Sequence, residues 1–171
     1  MGLSIVISGA IIFVALMFTL MTIPNVFDSI LSVDEVSSEI SVLEDSISQT
    51  EISINPLVSQ AGKSKINFTL HNNGTEKLWN FEKFNVLVTY DEGTSMTTEE
   101  LTYLGDCAGG VPTAGNWCIQ SISSDILDPG ILNDGESASI RTQVNQNLVT
   151  ENTITIVTTD NGVVATRSTG S

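Results

Sequence analysis

From Met1 to Phe27 the chain carries no charged side chain, and acidic residues begin directly afterwards. The apolar part of that stretch, Leu3 to Ile23, is 21 residues long. As an α-helix it would span roughly 30 Å, the thickness of the hydrocarbon layer of a bilayer. So much apolar surface is not stable in water, which predicts a helix held by lipid or by other helices, with everything else hanging from it. Residues 1–24 are therefore read as a transmembrane signal-anchor helix, with residues 3–23 against membrane lipid. A cleaved signal peptide would need a basic start, a shorter apolar core and a small-x-small exit, and this segment has none of them. The N-myristoylation pattern fails because position 6 is Val. Ser4, Ser8, Gly9 and Ala10 would also suit close helix packing in a bundle.

The net charge is −14, with six basic residues against twenty acidic ones. Such a chain is repelled by nucleic acid, which is excluded as a partner. Residues 1–60 hold Asp28, Asp34, Glu35, Glu39, Glu44, Asp45 and Glu51 but no Lys or Arg, so the positive-inside rule has little to act on. A one-residue tail is simple to leave behind while a long domain is translocated. A single pass with a cytoplasmic N-terminus and an external domain is the expected orientation.

Beyond Pro24, which can kink a helix, Val33, Val36, Ile40, Leu43 and Ile47 form an a/d stripe among acids. Residues 25–48 are read as an acidic amphipathic stalk helix. Its stripe either packs on the chain's own domain or pairs with another helix, giving a homo- or hetero-oligomer. From residue 50 the hydrophobic period changes to two. Alternation runs over 50–55, where Pro56 stops it, then over 65–71 and 84–90, with further strands at 97–104, 117–123, 137–144, 152–159 and 162–167. Asn72-Asn73-Gly74, Asp91-Glu92-Gly93, Asp128-Pro129-Gly130, Asn133-Asp134-Gly135 and Asp160-Asn161-Gly162 punctuate them as turns. Residues 49–171 are thus expected to form an extracytoplasmic domain, an all-β, antiparallel, immunoglobulin-like β-sandwich.

Cys107 and Cys118 are the only cysteines, and they bracket a Gly-rich loop that ends at Trp117. Two cysteines alone cannot build a zinc site, and the single histidine, His71, is distant in sequence. An oxidised pair outside the cytoplasm is the expected state, two free thiols the alternative. Trp117 is then either a core plug or an exposed contact residue. Asn67-Phe68-Thr69 and Asn73-Gly74-Thr75 are glycosylation acceptor sequons. Asp125, Asp128, Asp134 and Glu136 could be imagined around calcium, but their spacing fits no calcium loop and suits ordinary turn chemistry. No nucleophile elbow, zinc-protease motif or phosphate loop occurs, and one His leaves acid–base catalysis to carboxylates alone. No catalytic residue, metal or cofactor is expected.

A resemblance rests on four stretches: Met1-Gly2-Leu3-Ser4-Ile5-Val6-Ile7-Ser8, Ile66-Asn67-Phe68-Thr69-Leu70-His71-Asn72-Asn73-Gly74-Thr75-Glu76, Phe81-Glu82-Lys83-Phe84-Asn85-Val86-Leu87-Val88, and Leu127-Asp128-Pro129-Gly130-Ile131-Leu132-Asn133-Asp134-Gly135-Glu136. With them the chain resembles the archaeal flagellin superfamily, the archaellins and the archaellum accessory proteins. Within that group it is most similar to the accessory F component, then to the G component. The resemblance implies a non-catalytic structural protein of the archaellum, the swimming organelle. Such a protein is a membrane-anchored stator whose sandwich binds the S-layer protein, alongside other archaellum components. Loop 107–118 is the candidate contact. The alternative is an archaellin or pilin-like filament subunit. The absence of Lys or Arg before Leu3, where a basic leader would lie, speaks for the anchor. A more remote alternative is a membrane-anchored extracytoplasmic hydrolase, which would need a clefted carboxylate pair.

Overall fold

The computed structural model describes the backbone of residues 2–107, 109–126 and 128–169, and the side chains of residues 7–21, 37–107, 109–126 and 128–169. Helix α1 runs from Gly2 to Gln49, so the expected anchor and stalk segments fall in one helix that continues through Pro24. Eight strands follow: β1 (Ile52–Ser59), β2 (Lys65–Asn72), β3 (Asn85–Asp91), β4 (Met96–Asp106), β5 (Asn116–Ile122), β6 (Ser137–Gln143), β7 (Thr153–Thr158) and β8 (Val164–Ser168). The chain divides into two units, residues 1–44 and residues 45–171.

In the first unit, every described side chain from Ile7 to Met21 is exposed. Among the described residues no helix is long and apolar enough to cross a membrane. The 21-residue run expected to do so extends past both ends of this described stretch. Of the stalk stripe, Val33 and Val36 lie outside the described side chains, while Ile40, Leu43 and Ile47 are exposed.

The second unit is a sandwich whose strands lie in the order β1-β2-β6-β5-β4-β3-β7-β8. Period-two alternation builds it. Ile66, Phe68 and Leu70 of β2 face inward against Ile140 of β6, and Val86, Val88 and Tyr90 of β3 lie beside Val157 of β7. Strand β4 joins the two layers, a first sheet of β1, β2, β6 and β5 and a second of β3, β7 and β8. Its first part pairs antiparallel with β3 from Met96 to Leu101, and its second part pairs with β5 from Thr102 to Asp106.

Two sequence expectations need correction. The strand read as stopping at Pro56 continues to Ser59, because the β1–β2 register shifts between Ile54 and Leu57 and so absorbs the proline on an edge strand. The sandwich is also not antiparallel throughout, since β4 and β5 run parallel. Consecutive parallel strands need a return connection. Residues 107–115 supply it, covering the rise of about 13 Å from Asp106 back to the level of Thr102.

The last turn of α1 belongs to the sandwich unit and ends in a socket. The Gln49 carbonyl, which no further helical turn would satisfy, accepts from Thr75 N at 2.9 Å and Glu76 N at 3.1 Å. Asn161 in the β7–β8 turn donates through Nδ2 to Thr50 Oγ1 at 2.6 Å and to Ser46 Oγ at 3.1 Å. Buried Asn72 holds the socket's shape, accepting from Gly74 N at 3.1 Å and donating to the carbonyls of Glu76 at 2.7 Å and Leu132 at 3.0 Å. Between them sits Gly74, where a Cβ would lie 2.2 Å from the Gln49 carbonyl oxygen and 2.4 Å from Glu51 N.

At the other end of the sandwich, the Tyr90 hydroxyl donates to the Glu99 carboxylate, which also accepts from Asn145 N at 3.0 Å. Burial, and then the Glu99 carboxylate, push the Tyr90 hydroxyl up to about 12.

Gly74→Ala should lower the stability of the sandwich by about 2–3 kcal/mol in denaturant titration, because backbone atoms leave no room for a methyl group. Gly110→Ala, with nothing near its added Cβ, should be close to neutral. The Tyr90 hydroxyl holds its proton more tightly when folded. Its contribution is therefore complete below pH 10 and is lost as the pH rises toward 12, by up to about 3 kcal/mol. Tyr90→Phe should remove this component of alkaline unfolding, read as the difference between the two stability–pH curves.

Candidate interaction surfaces

The return connection between β4 and β5 lies over the outer face of the first sheet, and the register shows why. Trp117 pairs with inward-facing Thr142, whereas Cys118 pairs with Arg141, whose side chain faces outward. An outward Cys118 would be exposed, yet it is buried, with Cys107 and residues 110–113 beside it. Cys107 and Cys118 are joined by a disulfide, with Cα atoms 5.2 Å apart. Cys107 N donates to the Ile119 carbonyl at 2.8 Å, and Arg141 Nη1 donates to the Gly110 carbonyl at 3.3 Å. Exposed Leu104 and Val111, with Pro112 and Thr113, rim a hollow of about 300 Å³ beside the disulfide. The loop expected to make contact is thus a fixed strap with an apolar rim. Trp117 is core, at 0% exposure, stacked on Tyr103 with ring centroids 4.4 Å apart.

Both sequon asparagines are exposed. Asn67 sits outward on β2 opposite Val58 and Arg141, and Asn73 donates through Nδ2 to Ser53 Oγ at 2.9 Å. The four acids weighed as a calcium set are not brought together. Asp128 pairs with Lys77 Nζ at 2.5 Å, Asp125 accepts from Gly130 N at 3.2 Å, and Glu136 accepts from Asn133 N at 2.9 Å. Among the described residues no group of three His, Cys, Asp or Glu side chains could hold a metal ion. His71 lies on β2, where Nε2 is 2.8 Å from the Asn55 carbonyl oxygen and Nδ1 is 2.6 Å from Ser137 Oγ.

Sequence reasoning missed how charge is divided. Strands β1, β2, β5, β6, β7 and β8 contain no Asp or Glu, and the acids lie in α1, in β3 and β4, and in connections. On the outer face of the second sheet, Leu87, Ile156 and Thr166 form one row, and Thr89, Ile154 and Ser168 the next. Ile154 and Val164 are 37% and 54% exposed there. The signal was present as an alternation of Thr with Ile over 153–157, but only the strand pairing shows that these residues share a face. Trp79, 63% exposed, was also passed over because it lies in no periodic segment.

No protein-family model and no curated protein sequence matches the chain. Among solved structures, it is similar to the archaellum periplasmic stator protein FlaG from Sulfolobus acidocaldarius. That likeness has 17% identity and a TM-score of 0.50 over 70% of this chain and 98% of that one. It is also similar to the FlaF and FlaG stator complex of the same organism, at 17% identity and a TM-score of 0.49 over 70% of this chain and 88% of that one. A third similar structure is the flagellin FlaB1 from Methanocaldococcus jannaschii, at 12% identity and a TM-score of 0.47 over 69% of this chain and 88% of that one. The likeness to FlaG establishes the fold, and it is the sandwich that the resemblance to the archaeal flagellin superfamily implied. F and G components are not distinguished by it.

Non-reducing peptide mapping should recover Cys107 linked to Cys118. Replacing both by Ala should cost about 3 kcal/mol, the loop-closure entropy of a short ring, with unfolding monitored through Trp117.

Proposed function

We propose that this chain is a non-catalytic structural component of the archaellum, a membrane-anchored stator protein of the F or G kind. In this reading residues 1–24 anchor it in the cell membrane, residues 25–48 form an acidic stalk, and residues 49–171 form the extracytoplasmic domain facing the S-layer. The observation that carries the reading is the pairing, on one chain, of a sandwich with the fold of FlaG and a helix whose described apolar stretch, Ile7 to Met21, is exposed throughout. Apolar surface of that extent has to be covered by lipid or by other helices. The external location is supported by the disulfide and by two exposed sequon asparagines. A structural role is supported by the available side chains: the one histidine is held by a backbone carbonyl and a serine, and Asp125 and Glu136 accept backbone N–H groups within turns.

Assembly with S-layer protein or with other archaellum components calls for surface that an acidic partner can approach. The outer faces of β1, β2, β6, β7 and β8, strands without Asp or Glu, supply it, and the strap between β4 and β5 adds an apolar rim. Rim charges mainly set association rates, whereas desolvated apolar contacts set affinity.

Cell fractionation tests the anchor: the intact chain should remain with membrane and S-layer and be absent from sheared filaments. Recovery in the filaments would instead make it a filament subunit. The full chain in non-ionic detergent should retain purified S-layer protein at micromolar concentration, and the absence of retention would remove the S-layer from the proposal.

A further inference from the structure

A second candidate site lies where β4 and β5 end, beside Asp125, Pro129 and Gly130. There a cavity of about 400 Å³ opens to solvent. Phe81 and Tyr103 give it aromatic surface, with ring centroids 6.2 Å apart and planes tilted by 50°. Behind Tyr103, Trp117 buttresses the ring and fixes its position. The polar lining includes the carboxylates of Asp106 and Asp125, and no Lys or Arg lines the cavity. Asp106 is exposed, while Asp125 is half-buried and accepts one backbone N–H, from Gly130. Among the described residues the one ion pair is Lys77 with Asp128, so neither cavity carboxylate has a cation of its own. The charges of Asp106 and Glu82 reach the Tyr103 hydroxyl and, behind burial, hold its proton on.

Two carboxylates beside aromatic rings form a negative field with negative ring faces. A neutral sugar could stack on such a ring but would leave both charges uncompensated. A cation answers both features. A guanidinium does so best, because it is planar, stacks on an aromatic face and presents forked donors to carboxylates. We propose that this cavity receives the arginine side chain of a partner protein, with its guanidinium stacked on Tyr103 and paired with the carboxylates of Asp106 and Asp125. The cavity volume lies within the range of formed small-ligand sites. The inference does not depend on the archaellum reading, since any partner presenting an arginine would serve.

The test uses the full chain in non-ionic detergent with its two tryptophans labelled with nitrogen-15, and N-acetyl-arginine methylamide as the probe. The indole signal of Trp117, packed behind Tyr103, should shift saturably with a dissociation constant of about 10 mM, while exposed Trp79 stays in place. Asp106→Asn, at an exposed position, should weaken binding by about fivefold. N-acetyl-citrulline methylamide, which has a similar shape but no charge, should produce no shift. The proposal is overturned if the citrulline probe or methyl glucoside shifts Trp117 as strongly as arginine does. No saturation, or an Asp106→Asn variant that binds unchanged, would overturn it equally.

Discussion

Strand β4 belongs to both layers, and much of the sandwich follows from that one constraint. Its first part completes the antiparallel pairing with β3, and its second part runs parallel to β5. A parallel neighbour immediately next in sequence forces the chain to double back within residues 107–115. That return has to lie on the outside of the sheet, because the inside is filled by Trp117, Ile119 and Tyr103. The disulfide then ties the start of the return to the strand beneath it. Without the link, the first part of a Gly-rich strap over the sheet face would rest on Arg141 and the Cys107 amide, while its end is held by Gly115, which donates to the Gln143 carbonyl and accepts from Thr102 N.

The socket at the end of α1 solves a different problem, the orphaned carbonyls of a helix terminus. It uses backbone donors from Thr75 and Glu76 to the Gln49 carbonyl and a side-chain donor from Asn161 to the Ser46 carbonyl, drawn from two turns far apart in sequence. Gly74 is needed there for space. Its φ is not among the positive values found at other turn glycines, and the backbone that would collide with a Cβ comes from Gln49 and Glu51. A turn signal in sequence is thus also a steric requirement imposed by a helix more than twenty residues upstream.

What was legible in the sequence was what is local. Alternation located β2 and β3 and the start of β1, since Ile66-Phe68-Leu70 or Val86-Val88-Tyr90 needs no partner to declare its inward face, and the other expected segments overlap β4 to β8. The turns at Gly93 and Gly162 were equally plain, and both glycines have positive φ. Cysteine counting led to the pair that the structure joins. What was not legible depended on pairing between distant segments. The passage of β1 through Pro56 relies on a bulge against β2, the parallel β4–β5 contact on the order of strands, and the second role of Asn72 on the loop around Leu132. The cavity beside Tyr103 escaped notice because its parts come from the segment before β3, from β4, from β5 and from the turn after it.

The partition of charge gives the fold a consistent logic for assembly. A chain with a net charge of −14 repels other acidic components unless the approaching surfaces are spared. Keeping Asp and Glu out of six strands leaves those strands' outer faces open to apolar and hydrogen-bonding contact, while the acids in connections discourage edge-to-edge association. The same exclusion makes the carboxylates beside Tyr103 stand out, because they are placed against aromatic rings and away from compensating lysines. An assembly that reads this molecule can therefore use two kinds of contact. Strand faces without acids admit apolar and hydrogen-bonding partners, and one negative aromatic cavity favours a cation. The second kind supplies the discrimination that the first lacks, since a neutral face by itself gives little reason to prefer one partner over another.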